Sequence, residues 1–349
     1  MAHPVSFRGR VVGGLGKAAG FTQLPWARSA FRARLGVDPW PGTLNLLGEV
    51  GVIDAWLGSL GQPEILQPPD ASQCAALCWP VRIAERFPGA VLRPDISGYP
   101  GHQLEVIASL PLRERLGLSE GDQVLLTPAR LDGVDAVLFD VDGTLVNSID
   151  GMWLAASRAA ALFGFQVPAD AVRRSLNSNE PLWPAIIPPE AASNPELPRL
   201  LRREMLRHWN QVLRESVSVL PGIPELLAAL RESGRRLGIY TGSRGESFLP
   251  LEAAGLMPLF DVVLTANDVL RPKPDPDGLL RCLRTLALSP ERVLYVGDSQ
   301  HDVQAGRAAG MRAVGVLTGA ADAVSLAAAG ADRILADASA LHAALDLSG

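Results

Sequence analysis

Asp140 and Asp142 stand two residues apart at the end of an apolar run, Val137-Leu138-Phe139, and Gly143-Thr144 follows them. If the run is a strand, its period of two sends both carboxylates the same way. One carboxylate can then ligate a metal or attack an electrophile while the other moves protons. Gly143 allows a sharp turn beside them. An acidic turn that merely closes a strand has the same composition. A calcium loop fits poorly, because its glycine would fall two positions later and its closing Glu is missing.

Three more segments carry groups suited to phosphate chemistry. Thr241-Gly242-Ser243 follows the apolar Ile239-Tyr240 and offers a hydroxyl and a glycine N–H to a phosphate oxygen, although Thr241 could equally N-cap a helix. Arg271-Pro272-Lys273-Pro274-Asp275-Pro276 holds one lysine among prolines that restrict the backbone. Of the 32 basic residues only Lys17 and Lys273 are lysines, so arginine is the default cation and a lysine marks a need for a compact ammonium. In Tyr295-Val296-Gly297-Asp298-Ser299-Gln300-His301-Asp302, the two acids four residues apart share one face of a helix start. A capping pattern would give Asp302 the same place.

The elements that must position these groups are legible as an alternation. Apolar strands are expected at Ala136–Phe139, Leu237–Tyr240, Val262–Leu264, Arg292–Val296 and Ala313–Val316. Helices are expected at Glu225–Glu232, Gly278–Leu286 and Val303–Ala309. The alternation predicts a Rossmann-like parallel sheet flanked by helices, with its chemistry at the carboxyl ends of the strands. An insertion at about 149–219, helical over Met152–Leu162 and Leu200–Leu213 with a proline-rich middle, is placed to act as a lid. Before Thr127 the chain reads differently. Short strand-like stretches (Val50–Ile53, Ala90–Leu92, Leu104–Ala108, Gln123–Leu126), one helix at Ala27–Leu35 and frequent turn residues predict a small β-barrel. Two domains, 1–130 and 135–349, suit a chain of 349 residues.

Asp-Val-Asp-Gly-Thr (140–144) with Gly-Asp-Ser-x-x-Asp (297–302), and Thr241 and Lys273 between them in order, resembles the haloacid dehalogenase superfamily of phosphatases from Ala136 to about Gly319. The insertion resembles that superfamily's helical cap. The resemblance implies a Mg²⁺ site formed by Asp140, the backbone carbonyl of Asp142 and Asp298, with Asp302 orienting a ligand. It implies Asp140 as covalent nucleophile and Asp142 as general acid, then base. Lys273, Thr241 and the Gly242 N–H would stabilise the phosphoryl oxygens. Asp142 sets the chain apart from dehalogenases, which do not need the second acid. The absence of lysine from the cap argues against a phosphonate-cleaving Schiff base. A sugar-phosphate mutase needs a cap tuned to return the phosphate.

In the N-terminal half, Gly13-Gly14-Leu15-Gly16-Lys17-Ala18-Ala19-Gly20 is a glycine-rich loop after a strand. It fails as a dinucleotide fingerprint because Pro25 soon interrupts any helix, and as a P-loop because no Ser or Thr follows Lys17. What remains is a plain hairpin or a loop whose N–H groups cradle phosphates. Thr43 and Asn45 put two neutral oxygens on one strand face, suited to Mg²⁺ or a ribose. Gly-Leu-Gly, Pro-Gly-Thr-Leu-Asn (41–45) and Leu-Glu-Val-Ile-Ala (104–108) together resemble the archaeal-type CTP-dependent riboflavin kinases over Phe7 to Leu126. The resemblance implies CTP phosphates at Gly14, Leu15, Gly16, Lys17, Ala18 and Gly20, Mg²⁺ at Thr43 and Asn45, and riboflavin near Glu105. Lys17 departs from the acid usual in that family.

The expectation is a bifunctional enzyme: a phosphatase acting on a small phosphorylated metabolite, fused to a riboflavin kinase-like barrel. Its substrate could be a ribitylaminopyrimidine phosphate of riboflavin synthesis. The alternatives are a phosphoglycolate or sugar-phosphate phosphatase, and a barrel that only binds a nucleotide or flavin and regulates. A net charge of −5 argues against a broad nucleic-acid-binding face. No apolar run of membrane-spanning length is present, and Met1–Arg10 does not read as a signal peptide. Three cysteines are too few for a disulfide framework, so a cytoplasmic location is expected.

Overall fold

Alternating burial builds the first sheet. In β1 (Phe7–Val12), Phe7, Gly9 and Val11 face inward while Arg8 and Arg10 face water. The computed structural model describes residues 6–14, 18–70, 73–129, 131, 133–178, 181–188, 190–191, 194–345 and 347. It continues with β2 (Leu44–Leu47), β3 (Glu64–Leu66), β4 (Ala76–Ile83), β5 (Phe87–Pro94), β6 (Gln103–Ile107) and β7 (Gln123–Pro128). All pairings are antiparallel, in the order β3-β4-β5-β6-β2-β1-β7. The long β4 closes the sheet into a barrel: its first residues pair with β3 and its last, Val81 to Ile83, pair with β7. Helix Pro25–Leu35 buries Ala27, Phe31 and Leu35 at helical spacing, and Gly36 ends it in the left-handed region (φ 63°).

Two local expectations are corrected. Val50–Ile53 is not a strand but the start of helix Val50–Ser59. Ile53, Trp56 and Leu57 are buried at i, i+3 and i+4, while Val50 and Val52 face solvent, so packing period overrides β propensity. The Trp56 ring stacks on Phe7, 5.2 Å between centroids. The glycine-rich segment is not an open loop throughout, because Ala18–Thr22 forms a short helix that two alanines favour.

The second sheet contains β8 (Ala136–Phe139), β9 (Arg236–Tyr240), β10 (Val262–Leu264), β11 (Val293–Gly297), β12 (Arg312–Val316) and β13 (Arg333–Leu335). Its order is β10-β9-β8-β11-β12-β13. β8 is central and parallel to both neighbours, with Phe139 opposite Ile239 and Val296. All four β8 residues are buried, as strands covered on both faces must be. The flanking helices are Ile223–Glu232, Asp277–Leu286 and Gln300–Ala308.

Between β8 and β9 lies the cap. Helices Ile149–Ala161 and Leu197–Glu215 extend those expected from sequence, and Ala171–Ser178 adds a third. Ala156, Ala159, Val167, Trp183 and Leu201 give the cap its own core. The chain divides into two compact units, 1–132 with 323–336 and 133–322 with 337–349.

Candidate active site

Four neighbouring strand ends converge at the carboxyl edge of the parallel sheet. Asp140 follows β8, Thr241 follows β9, Asp298 follows β11, and Lys273 enters from the proline-rich loop after β10. A cavity of about 340 Å³ is lined by all seven C-terminal candidates: Asp140, Asp142, Thr241, Gly242, Lys273, Asp298 and Asp302. Lys273 Nζ donates to Asp140 Oδ1 (2.8 Å), to Asp302 Oδ1 (2.6 Å) and to the Tyr295 hydroxyl (3.2 Å), so each of its three protons has an acceptor. Its ammonium also lies 5.6 and 5.8 Å from the Tyr240 and Tyr295 ring centres.

Asp302 divides its two oxygens. Oδ2 accepts from the Ser299 amide and hydroxyl in a capping box, while Oδ1 takes the lysine. Asp302 thus caps its helix and also contacts Lys273. Asp298 Oδ2 accepts from the Ala320 amide (2.6 Å). The backbone comes so close there that a Cβ on Gly319 would lie 1.8 Å from that oxygen, which explains the glycine. Asp142 points into the same cavity, its Oδ1 accepting from the Ser247 hydroxyl (2.7 Å). Thr241 Oγ1 accepts from the Ser243 amide (3.1 Å), an ST-turn rather than a helix cap.

Three buried carboxylates, the half-buried Asp142 and a single ammonium carry an excess of negative charge. Burial first, then Asp302 and Asp142, push Asp140 up to about 7 despite the offsetting Lys273. Burial, followed by Asp302 and Asp140, pushes Asp298 well above the usual carboxylate range. Burial also raises Asp142, partly offset by the Ser247 hydroxyl. Asp302 goes the other way: burial would raise it, but Lys273 with the Ser299 and Tyr295 hydroxyls holds it down. Burial alone would lower Lys273, yet Asp140 and Asp302 hold it well above its ordinary value. Asp140, Asp298 and Asp302 offer oxygens that all lie within 4.8 Å of one another. Hard oxygen donors, charge excess and burial together fit a hard divalent cation.

Ser247, Tyr295 and His301 belong to this site and were not singled out from the sequence. Tyr295 sits inside an apolar strand and reads as core, and Ser247 has no spacing that links it to Asp142. His301 directly precedes Asp302, and its side chain carries no separate signal in the sequence.

The N-terminal candidates meet elsewhere. A second cavity, about 640 Å³, is lined by Gly14, Thr43, Asn45, Tyr99 and Glu105 among others. Asn45 and Glu105 face each other across β2 and β6. Asn45 Oδ1 accepts from Gln103 Nε2 (2.8 Å), and its Nδ2 donates to Thr43 Oγ1 (3.4 Å). A Cβ on Gly14 would lie 2.3 Å from Asn45 Nδ2, so the glycine brings that loop against the Thr43–Asn45 face. The Tyr99 hydroxyl donates to Glu105 Oε1 (3.1 Å). Burial raises Glu105, the Tyr99 and Thr43 hydroxyls offsetting part of that. Gly20 is exposed in its helix and does not line the cavity. Leu15, Gly16 and Lys17 lie outside the described residues, and only the helical backbone of Ala18 is described.

A parallel sheet with carboxylates at its carboxyl edge and a helical insertion after its first strand defines a capped Rossmann-like α/β fold. Residues 137–316 match the family model for haloacid dehalogenase-like hydrolases, and the chain belongs to that family. Residues 11–127 match the model for a CTP-dependent riboflavin kinase domain, also described as a domain of unknown function, DUF120. The phosphoglycolate phosphatase of Salmonella paratyphi A is 32% identical over 213 residues, covering 54% of this chain and 84% of the relative. A protein described as a haloacid dehalogenase-like hydrolase from Bacteroides fragilis superposes with a TM-score of 0.52 at 27% identity, over 60% of this chain and 99% of that one. A hydrolase from Pseudomonas syringae shares the fold with a TM-score of 0.51 at 24% identity, over 62% of this chain and 99% of that one. The C-terminal region is therefore a hydrolase of the haloacid dehalogenase type, and the N-terminal region is similar to the riboflavin kinase-type domain whose model it matches.

Proposed function

We propose that the C-terminal unit hydrolyses phosphomonoesters through a phosphorylated Asp140, with Mg²⁺ held by Asp140, Asp298 and the Asp142 carbonyl. The observation that carries this reading is the cavity in which Lys273 bridges Asp140 and Asp302, Asp298 brings a third carboxylate within 4.8 Å of both, and Asp142 stands apart on Ser247. Mg²⁺ supplies positive charge to a phosphoryl group there. Asp140 attacks phosphorus, and the bond to the ester oxygen breaks. Asp142, which burial keeps prone to protonation, gives its proton to the departing oxygen. It then takes a proton from the water that attacks the phosphoryl-aspartate, freeing phosphate and restoring Asp140. Lys273 holds Asp140 in line and offsets its charge. Thr241 and the Gly242 N–H would bind phosphoryl oxygens.

A thermal measurement tests the cation. Asp140, at about 7 rather than 3.8, favours the metal-free fold while it is protonated. That contribution is complete below the unfolded value and is lost as pH rises through about 7. A bound cation replaces the proton, so Mg²⁺ should raise Tm more at pH 8 than at pH 6 in calorimetry. Equal shifts at both pH values would argue against ligation by Asp140.

For the barrel, the reading is phosphorylation of riboflavin by CTP. Thr43 and Asn45 would hold Mg²⁺ together with the nucleotide phosphates, and Glu105 would lie against the flavin. The support is the matched family model and the convergence of Gly14, Thr43, Asn45 and Glu105 on one cavity. The phosphatase substrate would then be a ribitylaminopyrimidine phosphate, a coherent partner for a kinase acting later on riboflavin. A cytoplasmic location goes with this reading, consistent with Cys74, Cys78 and Cys282 being free. Among the described residues no helix is long and apolar enough to cross a membrane. The names of the relatives favour a second reading, a phosphoglycolate phosphatase with a nucleotide- or flavin-binding regulatory barrel.

The Asp140→Asn variant separates the two. It should protect any product from hydrolysis when incubated with riboflavin, Mg²⁺ and CTP or ATP. FMN formed with CTP and not with ATP is the expected result. No FMN with either nucleotide would reduce the barrel to a binding module.

A further inference from the structure

We propose that the phosphatase chamber selects esters whose leaving group is uncharged and partly apolar, and rejects those that carry a carboxylate beside the phosphate. This rests on the phosphatase reading above and narrows its substrate class.

The chamber has two contrasting walls. One consists of Asp140, Asp142, Asp298 and Asp302 with Lys273. The other comes from the cap, and among the described residues it is Ile149, Met152 and Leu176. Between them stand hydroxyl and imidazole groups, Ser243, Ser299 and His301, which suit hydroxyls or ring heteroatoms. A carboxylate on the leaving group would need a cation. Lys273 is the one Lys or Arg among the described lining residues, and two carboxylates and a tyrosine hydroxyl already occupy it.

No cap arginine is among the described residues that line the cavity. Arg173 is one turn before Leu176 on the same helix, but its guanidinium is bound to the Gly319 carbonyl and to Asp150 (3.2 Å). Arg174 pairs with Asp170, and Arg207 pairs with Glu204. The cap residues outside the described set are Asn179, Glu180, Pro189, Ala192 and Ser193, and none is basic. A further anion would therefore stand beside four carboxylates with no unengaged Lys or Arg in the described lining, which is unfavourable. The cap wall instead gains from covering carbon surface. A cavity of about 340 Å³ leaves room beyond the phosphate for a polyol or a small ring.

The test is a matched pair, phosphoglycolate against 2-hydroxyethyl phosphate, which replaces the carboxylate with a neutral alcohol. With saturating Mg²⁺ at pH 8, where the His301 imidazole is uncharged, kcat/KM should favour the neutral ester by about tenfold or more. Inhibition constants against p-nitrophenyl phosphate give the same ordering should either ester turn over slowly. Leu176→Arg should move the ratio at least about tenfold toward phosphoglycolate. Wild-type preference for phosphoglycolate would overturn the proposal, and so would a selective loss of phosphoglycolate turnover in Arg173→Gln. Failure to hydrolyse any ester, p-nitrophenyl phosphate included, would reject the phosphatase reading itself, a result distinct from a reversed preference.

Discussion

Asp140→Asn is expected to lower kcat for phosphomonoester hydrolysis by about 10⁴-fold or more, since an amide cannot form the acyl phosphate. The loss should not come from unfolding. Lys273 keeps two acceptors, Asp302 Oδ1 and the Tyr295 hydroxyl, when Asp140 is neutralised. The cluster also disfavours charge on Asp140, which it raises to about 7. A neutral side chain of the same shape relieves that repulsion, so Tm in the absence of cation should equal or exceed the wild-type value at pH 8. A variant within tenfold of wild-type kcat would mean that water attacks phosphorus directly and that Asp140 only positions it.

Lys273→Met should be the most damaging single change to stability at the site. The side chain is 11% exposed, and the two carboxylates it serves are 7% and 2% exposed. Removing one partner of a buried ionic cluster costs about 3–5 kcal/mol, because the remaining charges lose their compensation. Methionine preserves most of the stem's packing, so the loss measures charge rather than volume. Mg²⁺ should recover part of the stability by supplying positive charge, but not the activity, because Asp140 would no longer be oriented. Urea unfolding with and without Mg²⁺, beside kcat, separates the two effects. Wild-type stability in the metal-free variant would show that the two acids are protonated in the fold and do not depend on the lysine.

The parallel-sheet half was legible because its strands are buried on both faces. Ala136–Phe139 is wholly apolar and stops at Asp140, so strand and strand end are marked in four letters. Lys273 stood out by scarcity in an arginine-rich chain. Ser247 and Tyr295 did not stand out, since each reaches the site through the packing of separate segments. The cap helix Ala171–Ser178 was missed because it is short and mostly polar. In the barrel, Val50–Ile53 looked like a strand because β-branched residues dominate it. Its burial period, visible only over the ten residues to Ser59, is helical. The shared face of Thr43 and Asn45 followed from strand alternation and Glu105 from the family resemblance, whereas the approach of Gly14 and the pairing of Tyr99 with Glu105 depend on loops whose paths no local pattern records.

The central claim is the covalent bond to Asp140. During steady-state turnover with Mg²⁺, acid quenching followed by mass spectrometry of proteolytic peptides should find one phosphoryl group on the peptide that contains Asp140. The bond should survive acid, break with hydroxylamine, and be absent from Asp140→Asn. Sustained turnover with that peptide unmodified, and with the phosphoryl group on another residue or on none, would contradict the account.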